Sequence, residues 1–323
     1  MKKYIRFRKE RSLDKNIETS FYFFRKHFKP MMRILWKYNS VIIVAFLASY
    51  FLYYFYYFGA FDGLIDFKGS GNSNSAILKM FSNTQFLLVA LVLMLTSFIF
   101  FPRFYASIMG YMRVYMENEG EVKDAQVKNY IDEKFWGFIG LVLLAIVLGG
   151  IIVGLSAFLF ISAAGNSGII ILLALLLFLF FAYVMIPYSI SFYVYFFEDK
   201  GPIEALSMAF KYVKSRWWYS FGILLVMGII VGLISAIFQA PLSIYIIVKT
   251  VLVGQSGSVA DTSSLQGDIL GASISVFAIA GGYLVKILTI LSTAILYFSI
   301  KEYHTQEGIL DRIDQIGKED DPA

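Results

Sequence analysis

Residues 169–197 read IIILLALLLFLFFAYVMIPYSISFYVYFF, a run of 29 positions without one charged side chain. A soluble core helix or buried strand does not need so long an apolar stretch, whereas a helix crossing a hydrocarbon core of about 30 Å needs roughly 20 such residues. Five further stretches have the same character and no central carboxylate: 41–58, 86–112, 135–161, 219–248 and 271–300. The composition agrees, with 58% apolar against 16% charged residues in 323 positions and a mean hydropathy of +0.68. These numbers exclude an ordinary soluble domain. They predict an all-α polytopic membrane protein with six transmembrane helices.

Lys and Arg collect on one side of this pattern. Residues 1–40 carry twelve, the connections after the second and fourth spans carry four each, and the tail 301–323 carries three. The opposite connections carry Lys68, Lys79 and Lys249 alone. Basic residues are retained on the cytoplasmic side, so both termini are expected there, with 1–40 a basic cytoplasmic segment, 41–300 the membrane domain and 301–323 a cytoplasmic tail. The net charge of +5 is then a topology signal, and no nucleic-acid module is predicted. The first apolar stretch follows a basic start of forty residues and lacks a small-residue cleavage pattern, so it reads as an uncleaved span.

An internal repeat is expected on two signals. Spans one, three and five share Ile42-Ile43-Val44-Ala45-Phe46, Ile151-Ile152-Val153-Gly154-Leu155 and Ile229-Ile230-Val231-Gly232-Leu233. After spans two and four, Glu117-Asn118-Glu119-Gly120 and Glu198-Asp199-Lys200-Gly201 repeat a Glu-x-x-Gly pattern, with Pro102 and Pro187 upstream. Each cytoplasmic segment also carries an amphipathic helix. Leu13, Ile17, Phe21, Phe24, Phe28, Met31 and Leu35 form one apolar stripe, Ile203, Leu206, Phe210, Val213 and Trp217 another, and Val127, Tyr130 and Ile131 a shorter third. The expected unit is an interfacial helix followed by a transmembrane hairpin, written three times. Such helices bury an apolar stripe at the acyl boundary and offer basic side chains to lipid phosphates; Arg25, Lys26, Lys29, Arg33, Lys211, Lys214 and Arg216 are the candidate headgroup contacts. The alternative is that the stripes pack under the bundle.

This arrangement resembles the glycerophosphoryl diester phosphodiesterase membrane domain family and related uncharacterised bacterial six-span proteins. The likeness rests on Ile17-Glu18 and Phe23-Phe24-Arg25, on residues 198–218 (EDKGPIEALSMAFKYVKSRWW) and on the span from Tyr219, and covers about residues 12–305. It implies a bacterial cytoplasmic membrane. In that family the membrane domain can be joined to a phosphodiesterase barrel, but no His-Arg-Gly signature occurs here: His27 and His304 are followed by Phe28 and Thr305. No enzyme activity is therefore expected, nor any cofactor or metal site, since there is no Cys and only these two His.

Individual residues sharpen the picture. Lys286 is a cation within the sixth span, where charge is costly; with a hydrocarbon core that begins near Ala272 it sits deep and needs a water-filled cavity, a carbonyl cluster or an anionic lipid, and with one that begins near Ala280 it snorkels outward. Arg103 is expected to snorkel to the cytoplasmic face, and Pro102 and Pro187 to kink their helices. Gly150-x-x-x-Gly154 and Gly228-x-x-x-Gly232 offer small faces for helix packing, inside the bundle or between copies. Gly281 and Gly282 permit close helix approach or a local break. The run 50–58, eight aromatics of nine, reads as an interfacial belt, with an aromatic groove as the alternative. Asp62, Asp66, Asp261 and Asp268 read as solvated loop acids, and Ile309, Ile313 and Ile316 as one side of a short tail helix. The function expected from these features is a noncatalytic scaffold or lipid-interacting module with anionic membrane lipids, and an unidentified protein, as partners; the alternative is a transporter or channel for a small or lipid-like anion.

Overall fold

The computed structural model describes residues 5–65, 83–162, 167–256 and 265–306. Seven helices account for nearly all of them: α1 Leu13–Ile65, α2 Thr84–Glu117, α3 Asp124–Ser162, α4 Ser167–Glu198, α5 Pro202–Lys214, α6 Trp217–Ser256 and α7 Leu265–Thr305. All but α5 are long and apolar enough to cross a membrane, and the chain is a multi-pass helical membrane protein. Asp66, Asp261 and the tail from residue 307 lie outside the described residues, as does the side chain of Asp62.

The helices are longer than the apolar stretches alone suggest. The amphipathic segment before span one does not form a separate interfacial helix: α1 runs unbroken from Leu13 through Pro30 to Ile65, 53 residues. The middle segment likewise continues into its span as α3. Only α5 stands apart, because the chain breaks on both sides of it. Asp199 turns into the left-handed region (φ 54°), Gly201 is extended and Pro202 occupies the first helical position, where its missing N–H has no partner to lose. Glu204 in the first turn and Lys211 and Lys214 in the last complement the helix dipole. The other Glu-x-x-Gly motif ends α2 in a related way: Glu119 (φ 49°) and Gly120 (φ 108°) are left-handed, and the Gly120 N–H donates to the Tyr115 carbonyl at 2.8 Å. Pro102 and Pro187 are buried inside α2 and α4, which run on through them.

The Cα framework divides into two compact units. One comprises residues 1–31, 105–228 and 289–323, and its axis is the end of α7. Every residue from Ile290 to Ile300 is buried. Around it, Phe298 meets Phe7 (centroids 6.0 Å) and Phe197 (4.8 Å), the Tyr193 hydroxyl donates to the Ile290 carbonyl (3.0 Å), and the Arg11 N–H donates to Ser299 Oγ (3.0 Å). The other unit comprises residues 32–104 and 229–288. There Phe46 stacks on Phe100 (4.4 Å, 6°), Tyr283 stands edge-on to both, and Ser49 and Thr96 share a hydrogen bond of 2.8 Å.

Candidate functional site

The first amphipathic segment has two faces. The buried one is Asn16, Ser20, Phe23, His27 and Met31, spaced four, three, four and four residues apart. Phe23 anchors it, stacked on His27 at 4.3 Å and edge-on to Phe7 and Tyr115, while Tyr111 Oη and His27 Nδ1 share a hydrogen bond of 2.7 Å. The stripe read from the sequence lies one residue later, about 100° further round, and Ile17, Phe21, Phe24 and Phe28 remain half-exposed. Its expected upper members Met31 and Leu35 are buried. Arg25, Lys26 and Lys29 are exposed beyond the half-exposed stripe, as is Arg33 further along α1.

Helix α5 repeats this division. It buries Ala205, Ala209 and Val213, leaving Leu206 and Phe210 half-exposed and Ile203 75% exposed. Val213, expected on the lipid stripe, belongs to the buried face instead. Trp217 stacks between Tyr183 (5.9 Å) and Phe221 (5.2 Å). Lys211 and Lys214 are exposed without a partner among the described residues. Arg216 differs from its expected role: its guanidinium pairs with Glu10 and lies 3.7 Å from the Tyr303 ring centroid. In the third segment Val127 and Ile131 are buried, so that stripe packs against protein.

A charged node joins α2, α3 and the turn after α4. Arg113 grips both Asp199 oxygens at 2.9 Å and donates to the Phe196 carbonyl at 2.7 Å; the buried Lys134 ammonium also binds Asp199. Hydrogen bonds from Arg113, then from Lys134, hold the Asp199 carboxyl down to about 2. A depressed carboxylate stabilises the fold above its unfolded value, about 3.9, and loses that contribution as pH falls toward the folded value. The difference in thermal midpoint between the wild type and Asp199→Asn is therefore expected to be constant above about pH 5 and to shrink between about pH 4 and 2. A difference that persists unchanged to pH 2 would reject the node as a charge interaction. Both motif glutamates also bind a tyrosine from the segment that follows: Glu117 accepts from Tyr130 (2.7 Å), and Glu198 from Tyr212 (3.3 Å) and from Tyr297 (2.7 Å).

No family model, curated protein or solved structure matches the chain, so the functional argument rests on its own residues. Among the described residues no group of three or more His, Asp or Glu is placed to hold a metal ion.

The charged and small residues singled out in the spans differ in what they meet. Arg103 is held across α1, its Nε donating to Asn39 Oδ1 (3.0 Å) and its Nη2 reaching the Tyr38 carbonyl (3.5 Å). Lys286 is exposed on α7, with no carboxylate or carbonyl partner among the described residues. Asp268 is not a solvated loop acid: it pairs with Lys249 at 3.2 Å, the two side chains 13% and 5% exposed. The ammonium also approaches the Phe58 carbonyl (3.5 Å) and ring (5.4 Å). That pair escaped sequence reading because its members are nineteen positions apart and look like loop charges. Among the described residues Gly150, Gly154, Gly228 and Gly232 pack closely against no other helix, since a Cβ on any of them would meet no atom within 4 Å. The close approaches occur at Gly281, against the Phe238 ring, and at Gly271, where a Cβ would lie 2.6 Å from Tyr245 and 2.8 Å from Phe58. Gly282 faces open space and α7 continues through it.

Proposed function

We propose that the chain is a noncatalytic membrane protein acting as a scaffold or lipid-interacting module at the cytoplasmic membrane, its basic side facing the cytoplasm. The observation that carries this reading is the division of faces on α1 and α5. In both, the protein core takes one face, and a second apolar face with cations beside it is left over. Packing under the bundle accounts for Met31, Leu35 and Val213 but leaves Ile17, Phe21, Phe24, Phe28, Leu206 and Phe210 half-exposed. A half-exposed Phe and Leu stripe beside exposed Lys and Arg suits the acyl boundary of an anionic leaflet. The likeness to the phosphodiesterase membrane domain belongs to the same proposal. Lys286, on an exposed flank among apolar residues, suits lipid contact better than a polar pathway, which ordinarily gathers several intramembrane polar groups.

The test is native mass spectrometry of the full chain in nanodiscs holding a mixture of phosphatidylglycerol and phosphatidylcholine, read for retained lipids and, from its own membrane, for co-purifying proteins. Lys211→Gln with Lys214→Gln is expected to lower phosphatidylglycerol enrichment by up to about five-fold per charge. Enrichment equal to that of the wild type would reject the electrostatic part of the reading.

A further inference from the structure

Beyond the interfacial stripes, the unit formed by residues 32–104 and 229–288 carries an open apolar groove. A groove of about 380 Å³ opens to the outside, lined by Val44, Leu47, Ala48 and Phe51 of α1 and by Ser273 and Val276 of α7. Its one polar side chain is already satisfied, because Ser273 Oγ donates to the Ile269 carbonyl at 2.7 Å. The groove is therefore predominantly apolar, its only side-chain donor proton already committed.

What makes it more than an apolar dent is its continuation along α1. Arg33, Lys37, Val41, Val44 and Ala48 follow at intervals of four, four, three and four residues, and all five are exposed; they form one stripe. Trp36, 57% exposed, flanks its basic end, where an indole favours the headgroup level. Lys37 carries its ammonium 5.2 Å from the Tyr38 ring centroid. From Lys37 to Val44 is roughly 11 Å along the helix, and to Phe51 roughly 21 Å. A single leaflet contributes about 15 Å of hydrocarbon. Cations at the headgroup level thus lead along α1 into a groove that opens at acyl-chain level.

We propose that this stripe and groove bind a phospholipid with a net negative headgroup, its phosphate on Arg33 and Lys37 and one acyl chain in the groove. The proposal rests on the lipid-interacting reading above but names a different surface, so the two can fail separately. Charge complementarity at the basic end and the apolar lining of the groove favour this occupant over a polar solute.

The experiment uses the full chain in nanodiscs doped with phosphatidylglycerol bearing a photoactivatable group on its acyl chain, with adducts mapped by mass spectrometry. Adducts are expected at 44–51 and 273–276 in excess over the exposed apolar flank 143–155 of α3. Unlabelled phosphatidylglycerol should compete and phosphatidylcholine should not. Ala48→Trp fills the groove from an exposed position and should abolish its adducts with an unchanged thermal midpoint; Val44→Trp is the second variant should the first fold poorly. Arg33→Gln with Lys37→Gln should lower the preference for phosphatidylglycerol by about five-fold per charge. Adducts spread evenly over the apolar surface, or unchanged in both groove variants, would overturn the site. Competition by inorganic phosphate would overturn a lipid as its occupant. If groove adducts vanish while the Lys211 and Lys214 effect persists, the groove proposal fails alone; selective groove adducts with no such effect would support the groove and remove the α5 argument.

Discussion

Asp268→Leu is expected to destabilise the protein by about 3–5 kcal/mol, because it leaves the Lys249 ammonium buried without its carboxylate. Both side chains are nearly closed off, and the pair sits against the Phe58 ring and carbonyl in a tight corner. Near it Tyr245 donates to the Gly267 carbonyl and packs edge-on against Phe58 at 5.4 Å. In a chain of this size a loss of that order lowers the thermal midpoint by on the order of 10 °C, measurable in detergent or nanodiscs. Removing both charges in Lys249→Met with Asp268→Leu should recover most of the loss, since well-packed apolar replacements of a buried pair are often neutral. A double variant as unstable as the single one would show that the corner depends on something other than the charge pair.

Gly281→Ala and Gly271→Ala are expected to cost about 1–3 kcal/mol each by overpacking. At Gly281 the new methyl would enter the Phe238 ring, and at Gly271 it would press on Tyr245 and Phe58, both already packed. Neither partner is the free end of a flexible chain, so the backbones of α6 and α7 must separate. The matching control is Ala at Gly154 or Gly232, where a Cβ meets no atom within 4 Å; these variants should keep or slightly raise the midpoint, as Ala is the better helix former. Thermal midpoints of the four variants decide the matter. A loss at Gly154 or Gly232 that depends on protein concentration would place those faces in contact between copies instead.

Six spans were legible in the sequence because apolar length is a local property, and each stretch declares itself without reference to its neighbours. The same holds for the break around α5, written in Gly201 and Pro202. Helix continuity was less legible: nothing in the polar segment 13–40 says that its helix will join the span without interruption. Which face of an amphipathic helix meets protein was not legible at all. Periodicity identified Ile17, Phe21, Phe24 and Phe28, but the core took the neighbouring face because Phe23 had Phe7, Tyr111 and Tyr115 to pack against, partners 16 to 92 positions away. For the same reason the small-residue motifs misled, since Gly-x-x-x-Gly marks a face that can pack closely without naming a helix that does. The Lys249–Asp268 pair and the Arg103–Asn39 bond are long-range pairings between groups that single-residue reasoning left to solvent or lipid.

The buried end of α7 carries a consequence for how the protein is made. Residues 290–300 are enclosed on every side, yet among the described helices α7 is synthesised last, about a hundred residues after α4 is complete. At about 5–20 residues per second, the aromatic and tyrosine groups destined to surround it wait some 5–20 seconds in the bilayer without their centre. During that interval Glu198 lacks Tyr297 and the Ser299 anchor of Arg11 does not exist. The surroundings of 290–300 can therefore reach their final packing only after α7 has been made.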